Sequence, residues 1–424
     1  MPCITSIGAF RDSQLGRSRA AKPRVLLYSH DTYGLGHLRR NLAITAHILH
    51  RKKPYSAMLL TGSPVIGSWP MPEGLHVCPL PAVIKTAAEK YESRDPSQSF
   101  ASVKARRETL ILESIRQYRP DIFLVDHAPA GMKGELLNSL AFIHAHMPGT
   151  RVVLGLRDIL DSPAEVRDLW RAQGIYHLLD THYDHILVYG SQHLFDAVHE
   201  YHLPPWVAAK ARYCGYIVRG AAHATAASET ASSIGDRRGR PTILVTAGGG
   251  GDGFPLMDGY LRAVRTLPEG ALHSIVVAGP LMDIEQRRRL ERAAAENRDV
   301  RIIAHTTELT DLIQRADLIV AMCGYNTTAE ILAARKPSIL VPRAGPRAEQ
   351  RLRTTLIGKL GLAWIVQPEE DRVARLTELV GAIVNGHRPA LRAWSRVDLG
   401  GVHRVGEALD EILGYFNLPR EASA

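Results

Sequence analysis

The sequence predicts two α/β domains in tandem, each a doubly wound parallel sheet covered by helices on both faces. Three observations predict this class. Short apolar segments rich in β-branched residues alternate with amphipathic segments, a pattern typical of parallel sheets buried between helices. The alternation stops at a small, polar, aperiodic segment at 219–240 and then restarts. The 424 residues also exceed what one hydrophobic core usually holds.

The first domain is predicted at 24–218. Its strand candidates are short apolar runs bounded by polar or turn residues, and they lie at 24–30, 57–62, 76–80, 121–127, 151–157, 185–190 and 213–218. Apolar residues at helical spacing predict helices between them, at 36–50, 102–118 and 131–146.

The second domain is predicted at 241–400 by the same alternation. Its strand candidates lie at 242–247, 274–278, 300–305, 318–322, 338–341 and 363–366, and its helices include 281–297, 326–335 and one that begins at Phe254. Ligands of such sheets bind beyond the carboxyl ends of the strands. Two domains placed face to face would therefore share one cleft.

The remaining segments connect or flank the two domains. The segment 1–23 lacks the continuous apolar stretch of a secretory signal. We expect it to be a disordered basic arm, with an overextended start codon as the alternative. The segment 219–240 is predicted to be a linker. The segment 401–424 is predicted to form a helix that packs back toward the first domain.

Composition excludes several classes of protein. Hydrophobic residues make up 45% and charged residues 22%, and no apolar run approaches the roughly 20 residues that span a bilayer. The four cysteines form no Cys-x-x-Cys pair, which fits a cytoplasmic protein. The net charge of +9 suits a phosphorylated ligand or an anionic membrane surface. No aromatic residues interleave with the basic ones in a reader motif, so we do not expect nucleic acid as a partner.

The nineteen histidines raise the question of a metal site. The closest clusters are His144 with His146 and His182 with His185, and neither has a second ligand group at the spacing of a metal site. We therefore predict no bound metal.

A glycine-rich turn follows the strand that opens the second domain. It holds five glycines in six residues, including Gly248, Gly249, Gly250 and Gly251. Glycines let backbone N–H groups approach an anion, and the helix N-terminus that follows adds positive charge. There is no lysine at the spacing of a P-loop. The turn predicts a phosphate cradle, with a flexible strand–helix connection as the alternative.

A second turn of the same domain, at the end of strand 318–322, carries polar residues at a predicted helix start. Asn326, Thr327 and Thr328 could hold a diphosphate there. Glu330, one turn later, could accept the hydroxyls of a ribose. The alternative is a capping box, formed by Thr327 and Glu330, that needs no ligand.

The glycine turn of the first domain departs from the dinucleotide fingerprint. Gly34 and Gly36 fit, but Arg39 stands where the third glycine should be, and the next strand ends without an acidic residue. His37 instead begins a helix and is a candidate general base, whose pKa the helix N-terminus would lower. The alternative is a capping or packed histidine.

Two other strands of the first domain end in charged residues. Asp126 ends the apolar run DIFLVD of the strand predicted at 121–127. It could orient His37, hold the acceptor (the substrate that loses a proton) or act as the base itself. Arg157 and Asp158 end the strand at 151–157. They are either acceptor-side residues or a buried salt bridge.

Three segments, GLGHLRRNLA, the glycine turn at 248–253 and GYNTTAEILAARKPSILVP, resemble glycosyltransferase family 28. That family includes the peptidoglycan N-acetylglucosaminyltransferase and relatives of the GT-B fold. The resemblance covers most of the chain and is strongest at 24–50 and 242–362. It is best to a subset usually labelled predicted glycosyltransferases.

The resemblance implies that the second domain binds a UDP-sugar, and that the sugar passes to an acceptor on the first domain with inversion and without a metal or other cofactor. By position, Gly34, Gly36 and His37 match the family's N-terminal loop, and 248–251 match its phosphate-side loop. The matches that concern the donor are Thr306 and Thr307 near the base, Glu330 at the ribose and Gln350 at the sugar. Glu349 stands where many relatives have aspartate. Arg343 is a further candidate to stabilise the leaving diphosphate. The sequence contains no Asp-x-Asp, the usual metal handle of the other glycosyltransferase fold.

The acceptor is not readable from the sequence: a lipid-linked compound, a glycan and a small natural product all remain open. We expect a cytoplasmic protein that can touch the anionic inner face of the membrane. Two other functions stay open, a UDP-sugar 2-epimerase of similar fold and a non-catalytic nucleotide-sugar sensor.

Overall fold

The structure is a computed structural model that describes residues 22–31, 35–87, 90–218, 239–345, 348–387 and 394–414. Most of the predicted arm at 1–23, most of the predicted linker at 219–240, Gly34 and the segment 415–424 lie outside the described residues. Within the described ranges, no helix is long and apolar enough to cross a membrane.

The first sheet has seven parallel strands. These are β1 (Arg24–Ser29), β2 (Ser56–Thr61), β3 (Leu75–Pro79), β6 (Ile122–Asp126), β7 (Arg151–Arg157), β8 (His185–Tyr189) and β9 (Ala211–Tyr213), and their order is β3-β2-β1-β6-β7-β8-β9. The order in which strands are added to the sheet reverses between β1 and β6, while all strands stay parallel. At such a switch point the loops after the two strands separate and leave a crevice for a ligand.

The second sheet has six parallel strands. These are β10 (Thr242–Thr246), β11 (His273–Val277), β12 (Val300–Ile303), β13 (Leu318–Ala321), β14 (Ser338–Leu340) and β15 (Trp364–Ile365), and their order is β12-β11-β10-β13-β14-β15. This is the Rossmann order, with its switch point between β10 and β13. The predicted fold class, two doubly wound α/β sheets, is confirmed.

Helices cover both sheets. In chain order they are α1 (Gly36–Leu49), α2 (Phe100–Tyr118), α3 (Leu137–His146), α4 (Pro163–Ala172), α5 (Ile175–His182), α6 (Ala197–Glu200), α7 (Pro205–Ala208), α8 (Phe254–Val264), α9 (Ile284–Ala295), α10 (Leu309–Arg315), α11 (Tyr325–Ala334), α12 (Glu349–Lys359), α13 (Arg372–Val384) and α14 (Gly401–Ile412). A short antiparallel pair, β4 (Val83–Ala87) and β5 (Lys90–Ser93), stands beside the first sheet and was not predicted.

Two predicted elements were wrong in their extent. The strand predicted at 213–218 is only β9, because the chain leaves the sheet and the backbone N–H of Tyr216 donates to the carbonyl of Asp398 instead. The helix predicted at 131–146 begins at Leu137, since Gly131, Lys133 and Gly134 adopt left-handed backbone conformations that interrupt it.

The buried core joins the two sheets. Leu26 and Phe123 belong to a cluster on one face of the first sheet, and Ile243 belongs to a cluster on one face of the second. The opposite faces share a third cluster, which includes Leu27 and Leu244. Neighbouring residues of a strand point to opposite faces, so Leu26 and Leu27 serve different clusters.

Helix α14 packs against α1 of the first domain, although it follows the second domain in sequence. Asp410 of α14 accepts a hydrogen bond of 2.5 Å from the Tyr55 hydroxyl and pairs with Arg51. A Cβ on Gly406 would meet the side chains of Arg51 and His47, so the two helices approach closely at this position.

Candidate active site

The segments after β1 and β7 face those after β10, β11, β12, β13 and β14 across one cleft, whose volume with its open mouth is about 1170 Å³. Eleven predicted residues line it: Gly36, His37, Arg157, Gly248, Gly249, Thr306, Thr307, Asn326, Thr327, Arg343 and Gln350. Asp126, Asp158, Gly250, Gly251, Thr328 and Glu330 are not among the residues that line it. The predicted site residues of both domains therefore surround one space.

His37 and Asp126 form a hydrogen-bonded pair at the first-domain wall. His37 is the second residue of α1, and Asp126 is the last residue of β6. Nδ1 of His37 lies 2.6 Å from Oδ2 of Asp126. A carboxylate accepts, so Nδ1 carries the proton and Nε2 of the neutral ring is left as the acceptor.

Arg40 holds both oxygens of this carboxylate. Its Nε donates to Oδ1 of Asp126 at 2.9 Å, and its Nη2 donates to Oδ1 at 2.6 Å and to Oδ2 at 2.8 Å. Arg40 and Asp126 are both 2% exposed. A bidentate pair of this kind fixes the plane of the carboxylate, and through it the ring of His37.

The electrostatics of the pair keep Asp126 ionised and His37 neutral. Burial alone would raise the pKa of Asp126, but Arg40 and His37 outweigh it and lower that pKa to about 2. Burial lowers the pKa of His37, although Asp126 acts in the opposite direction. The direction for His37 agrees with the sequence prediction, but the leading cause is burial and not the helix N-terminus.

Two further histidines surround His37. The rings of His30 and His127 have centroids 5.6 and 5.0 Å from the ring of His37. His127 follows Asp126 directly and has a φ of 70°, a left-handed conformation that costs a non-glycine residue energy. The histidine-rich wall was not predicted, because these residues are separated in sequence.

The glycine turn of the second domain is closely packed. Gly250 has a φ of 89°, and a Cβ there would come within 2.1 Å of the Ala278 carbonyl oxygen. A Cβ on Gly279, in the neighbouring loop, would likewise clash with the backbone of Gly249. Gly250 is therefore required by packing, whereas Gly248 and Gly249 line the cleft.

The structure of the turn after β13 shows that two predictions were wrong. Helix α11 begins at Tyr325 with Gly324 at the N-cap, so Thr327 is not a cap and the capping-box alternative is wrong. Thr328 is 1% exposed and its hydroxyl donates to Sγ of Cys323 at 3.5 Å, so it faces the core and cannot hold a diphosphate. Thr327 lines the cleft.

Asn326 and Glu330 of α11 both contact α1 of the first domain. Asn326 Nδ2 donates to the carbonyl of Gly36 at 2.9 Å. Glu330 forms an ion pair with Arg39, and the pair is almost buried. Of this pair, Arg39 is the residue that lines the cleft, and the Glu330 carboxylate lies next to it.

Arg157 and Asp158 take part in a chain of buried charges between the domains. Arg157 donates to Glu349 at 3.1 Å, Arg353 donates to the same carboxylate at 3.0 Å, and Arg353 also donates to Asp158 at 3.1 Å. Burial alone would raise the pKa of Glu349, but Arg157 and Arg353 lower it to about 2. The salt-bridge alternative thus describes both residues, with partners in the other domain rather than with each other.

The remaining donor-side candidates are spread along the second-domain wall. Thr306 and Thr307 line the cleft beyond β12. Arg343 forms an ion pair with Asp252 at 3.0 Å, and its backbone N–H donates to Gln350 at 3.2 Å. Arg343 is therefore held beside the glycine turn by its side chain.

Sequence reasoning assigned no role to three residues that the structure brings to the site. Arg39 and Trp69 line the cleft, and Arg40 supports Asp126. The available signal for the arginines was the sequence Arg39-Arg40 after His37, one helical turn from the start of α1. Among the described residues, no three His, Cys, Asp or Glu side chains are grouped to hold a metal ion.

This arrangement of two facing Rossmann-type sheets has close counterparts among solved structures. The glycotransferase of kitacinnamycin matches with a TM-score of 0.61 and 14% identity, over 92% of this chain and 99% of that one. The protein has the GT-B fold.

The sequence of the second half of the chain matches a family model. Residues 242–393 match the model of the Glycosyltransferase family 28 C-terminal domain.

Two relatives are similar to this chain, and both are the UDP-N-acetylglucosamine–N-acetylmuramyl-(pentapeptide) pyrophosphoryl-undecaprenol N-acetylglucosamine transferase. The one from Leuconostoc citreum is 30% identical over 26% of this chain and 30% of its own length. The one from Thiobacillus denitrificans is 27% identical over 47% of this chain and 53% of its own length. The matches thus span 30% and 53% of the lengths of these two relatives.

Proposed function

We propose that the protein is a glycosyltransferase that moves a sugar from a UDP-sugar to an acceptor hydroxyl. The domain at 241–400 binds the donor and the domain at 24–218 binds the acceptor. The observation that carries the proposal is the His37–Asp126 pair, which faces the glycine turn and the start of α11 across one cleft. The family of residues 242–393 supports the assignment of the donor.

The reaction is a single displacement. Nε2 of His37 takes the proton of the acceptor hydroxyl as that oxygen attacks the anomeric carbon of the sugar. The bond from the anomeric carbon to the diphosphate oxygen breaks, UDP leaves, and the configuration inverts. Asp126 stabilises the imidazolium that forms, because its carboxylate already accepts from Nδ1.

Negative charge develops on the diphosphate as it leaves. The backbone N–H group of Gly249, the N-terminus of α11 with Thr327, and the guanidinium of Arg343 are the groups that stabilise it. With this charge stabilisation supplied by the chain itself, the reaction proceeds without a metal ion. Thr306 and Thr307 contact the base, Glu330 the ribose and Gln350 the sugar.

The acceptor is a lipid-linked compound, a glycan or a small natural product, and the protein works in the cytoplasm. The net charge of +9 supports contact with the anionic inner face of the membrane. Co-sedimentation with vesicles tests this contact. Binding should increase with the fraction of anionic lipid, and binding that does not depend on lipid charge would contradict it.

Incubation with a panel of UDP-sugars, with and without candidate acceptors, tests the activity. We expect UDP release and a glycosylated product only when an acceptor is present. Formation of an epimeric UDP-sugar without an acceptor would instead identify a 2-epimerase. UDP-sugar binding without any turnover over the whole panel would identify a sensor.

A further inference from the structure

Arg39 and Glu330 join the two domains beneath the nucleotide side of the cleft. Arg39 lies on α1 of the first domain, and its Nη2 donates to Oε1 of Glu330 on α11 of the second. The side chains are 11% and 4% exposed. Arg39 lines the cleft, and the carboxylate of Glu330 lies directly behind it.

A carboxylate as buried as that of Glu330 requires a countercharge. Among the described residues, the ion pair with Arg39 is the one that Glu330 makes. Without that partner, a buried carboxylate pays a large desolvation cost and has nothing to fix its orientation. The position of the Glu330 carboxylate therefore depends on a residue of the other domain.

The second oxygen of the same carboxylate has no partner. Oε2 of Glu330 is buried and accepts no hydrogen bond from the described residues. A buried acceptor left unsatisfied is costly, and a hydroxyl that donates to it recovers this cost. One oxygen is thus committed to Arg39 and the other remains for a ligand hydroxyl.

We infer that Arg39 is a positioning residue for nucleotide recognition: its ion pair with Oε1 orients the Glu330 carboxylate so that Oε2 accepts a ribose hydroxyl. This inference rests on the proposed function. It means that the ribose site, although its carboxylate belongs to the second domain, is complete only when the first domain supplies Arg39. A preference for a ribose over a sugar without its hydroxyls then indicates that the two domains are in contact.

Calorimetry with UDP and with dideoxyuridine diphosphate, which lacks both ribose hydroxyls, tests this inference. In the unaltered protein UDP should bind about tenfold more tightly than the dideoxy analogue, the scale of one hydrogen bond to a charged group. Arg39→Met keeps the length of the side chain and removes its charge. It should bring the ratio of the two affinities close to one.

Three other variants separate this role from a general effect of charge. Arg39→Lys keeps the positive charge and should retain most of the ratio. Arg39→Met in a Glu330→Gln background should change the ratio no further, since Glu330 then has no charge to compensate. Arg351→Ala removes an exposed arginine, 59% accessible and paired with Glu369, and should leave the ratio unchanged.

The outcomes are distinct. If Arg39→Met weakens both ligands equally and keeps their ratio, Arg39 contacts the diphosphate only and this inference is overturned, while the proposed function stands. If the unaltered protein binds no UDP, the proposed function and this inference both fail. Circular dichroism checks folding, and Arg39→Ala is the second neutral variant should Arg39→Met not fold.

Discussion

Asp126 Oδ2 lies 2.6 Å from His37 Nδ1, and Arg40 Nη2 lies 2.6 Å from the other oxygen of the same carboxylate. The Asp126 carboxylate is therefore fixed from two sides, and it fixes the ring of His37 in turn. A base oriented in this way loses little entropy in the transition state. The relationship leads directly to a test of His37.

His37→Ala should lower turnover by at least about a hundredfold, since a positioned general base typically contributes that much or more. UDP affinity should not change, because the proposed donor contacts lie in the other domain. Turnover and calorimetric UDP binding measure the two effects. His199→Ala, a change at an exposed histidine of the same domain, is the control. A loss smaller than about tenfold would make His37 a packing residue and Asp126 the leading base.

The pH profile of kcat/KM should show an acid limb below 6.5. Burial lowers the pKa of His37 from its usual 6.5, and a general base is active only when it is neutral. The midpoint of the acid limb should therefore lie below pH 6.5. Initial rates across the acid range measure it. An acid limb centred above neutrality would contradict the assignment of His37 as the base.

Acid should destabilise the fold through Asp126 and Glu349. Their pKa values in the fold are about 2, below their usual 3.8 and 4.5. The unfolded chain thus binds more protons in this range. Each carboxylate contributes on the order of 2 kcal/mol of stability near neutral pH, and this is lost as the pH falls through 4 toward 2. Urea unfolding at a series of pH values should show the decline. Glu349→Gln should make it shallower, and a free energy of unfolding that stays constant would refute the argument.

Thr327 and Thr328 provide a matched pair of neighbours. Thr327 lines the cleft, whereas Thr328 donates to Cys323 in the core. Thr327→Val should weaken UDP binding about threefold to tenfold, the range of a neutral hydrogen bond, and leave the thermal midpoint unchanged. Thr328→Val should leave UDP affinity unchanged. The reverse pattern would mean that the diphosphate does not lie at the start of α11.

Removal of metal ions should leave activity intact. The groups proposed to stabilise the leaving diphosphate are backbone N–H groups, a helix N-terminus and Arg343. Turnover measured after treatment with EDTA should equal that of the untreated protein. Activity that EDTA abolishes and magnesium or manganese restores would show that this description of the donor site is wrong.

The sequence predicted strand ends better than side-chain partners. Asp126 and Arg157 were identified because each ends a buried apolar strand, and neighbouring parallel strands end at one edge. The partners could not be read from the chain. Arg40 and Asp126 are 86 residues apart, and Arg157 and Glu349 are 192 apart. The first pairing depends on the complete fold of the first domain and the second on how the two domains dock, and no local pattern encodes either.

Local geometry explains the predictions that were wrong. Thr327 and Thr328 are equally polar in sequence, but successive residues of a helix point about 100° apart, so one reaches the cleft and the other the core. The capping box failed because Gly324 supplies the N-cap, one turn earlier than the pattern suggested. Because glycine has no side chain to form a capping hydrogen bond, no capping motif marks that position in the sequence.

Helix α14 has a consequence for biosynthesis. It packs on α1 and binds Tyr55 and Arg51 through Asp410, so part of the first domain's surface is covered by a segment translated after the whole second domain. While the ribosome is still adding the second domain, α1 stands without this partner. Folding of the amino-terminal half thus reaches its final state late in translation, and a fragment cut before residue 401 leaves that face of α1 bare.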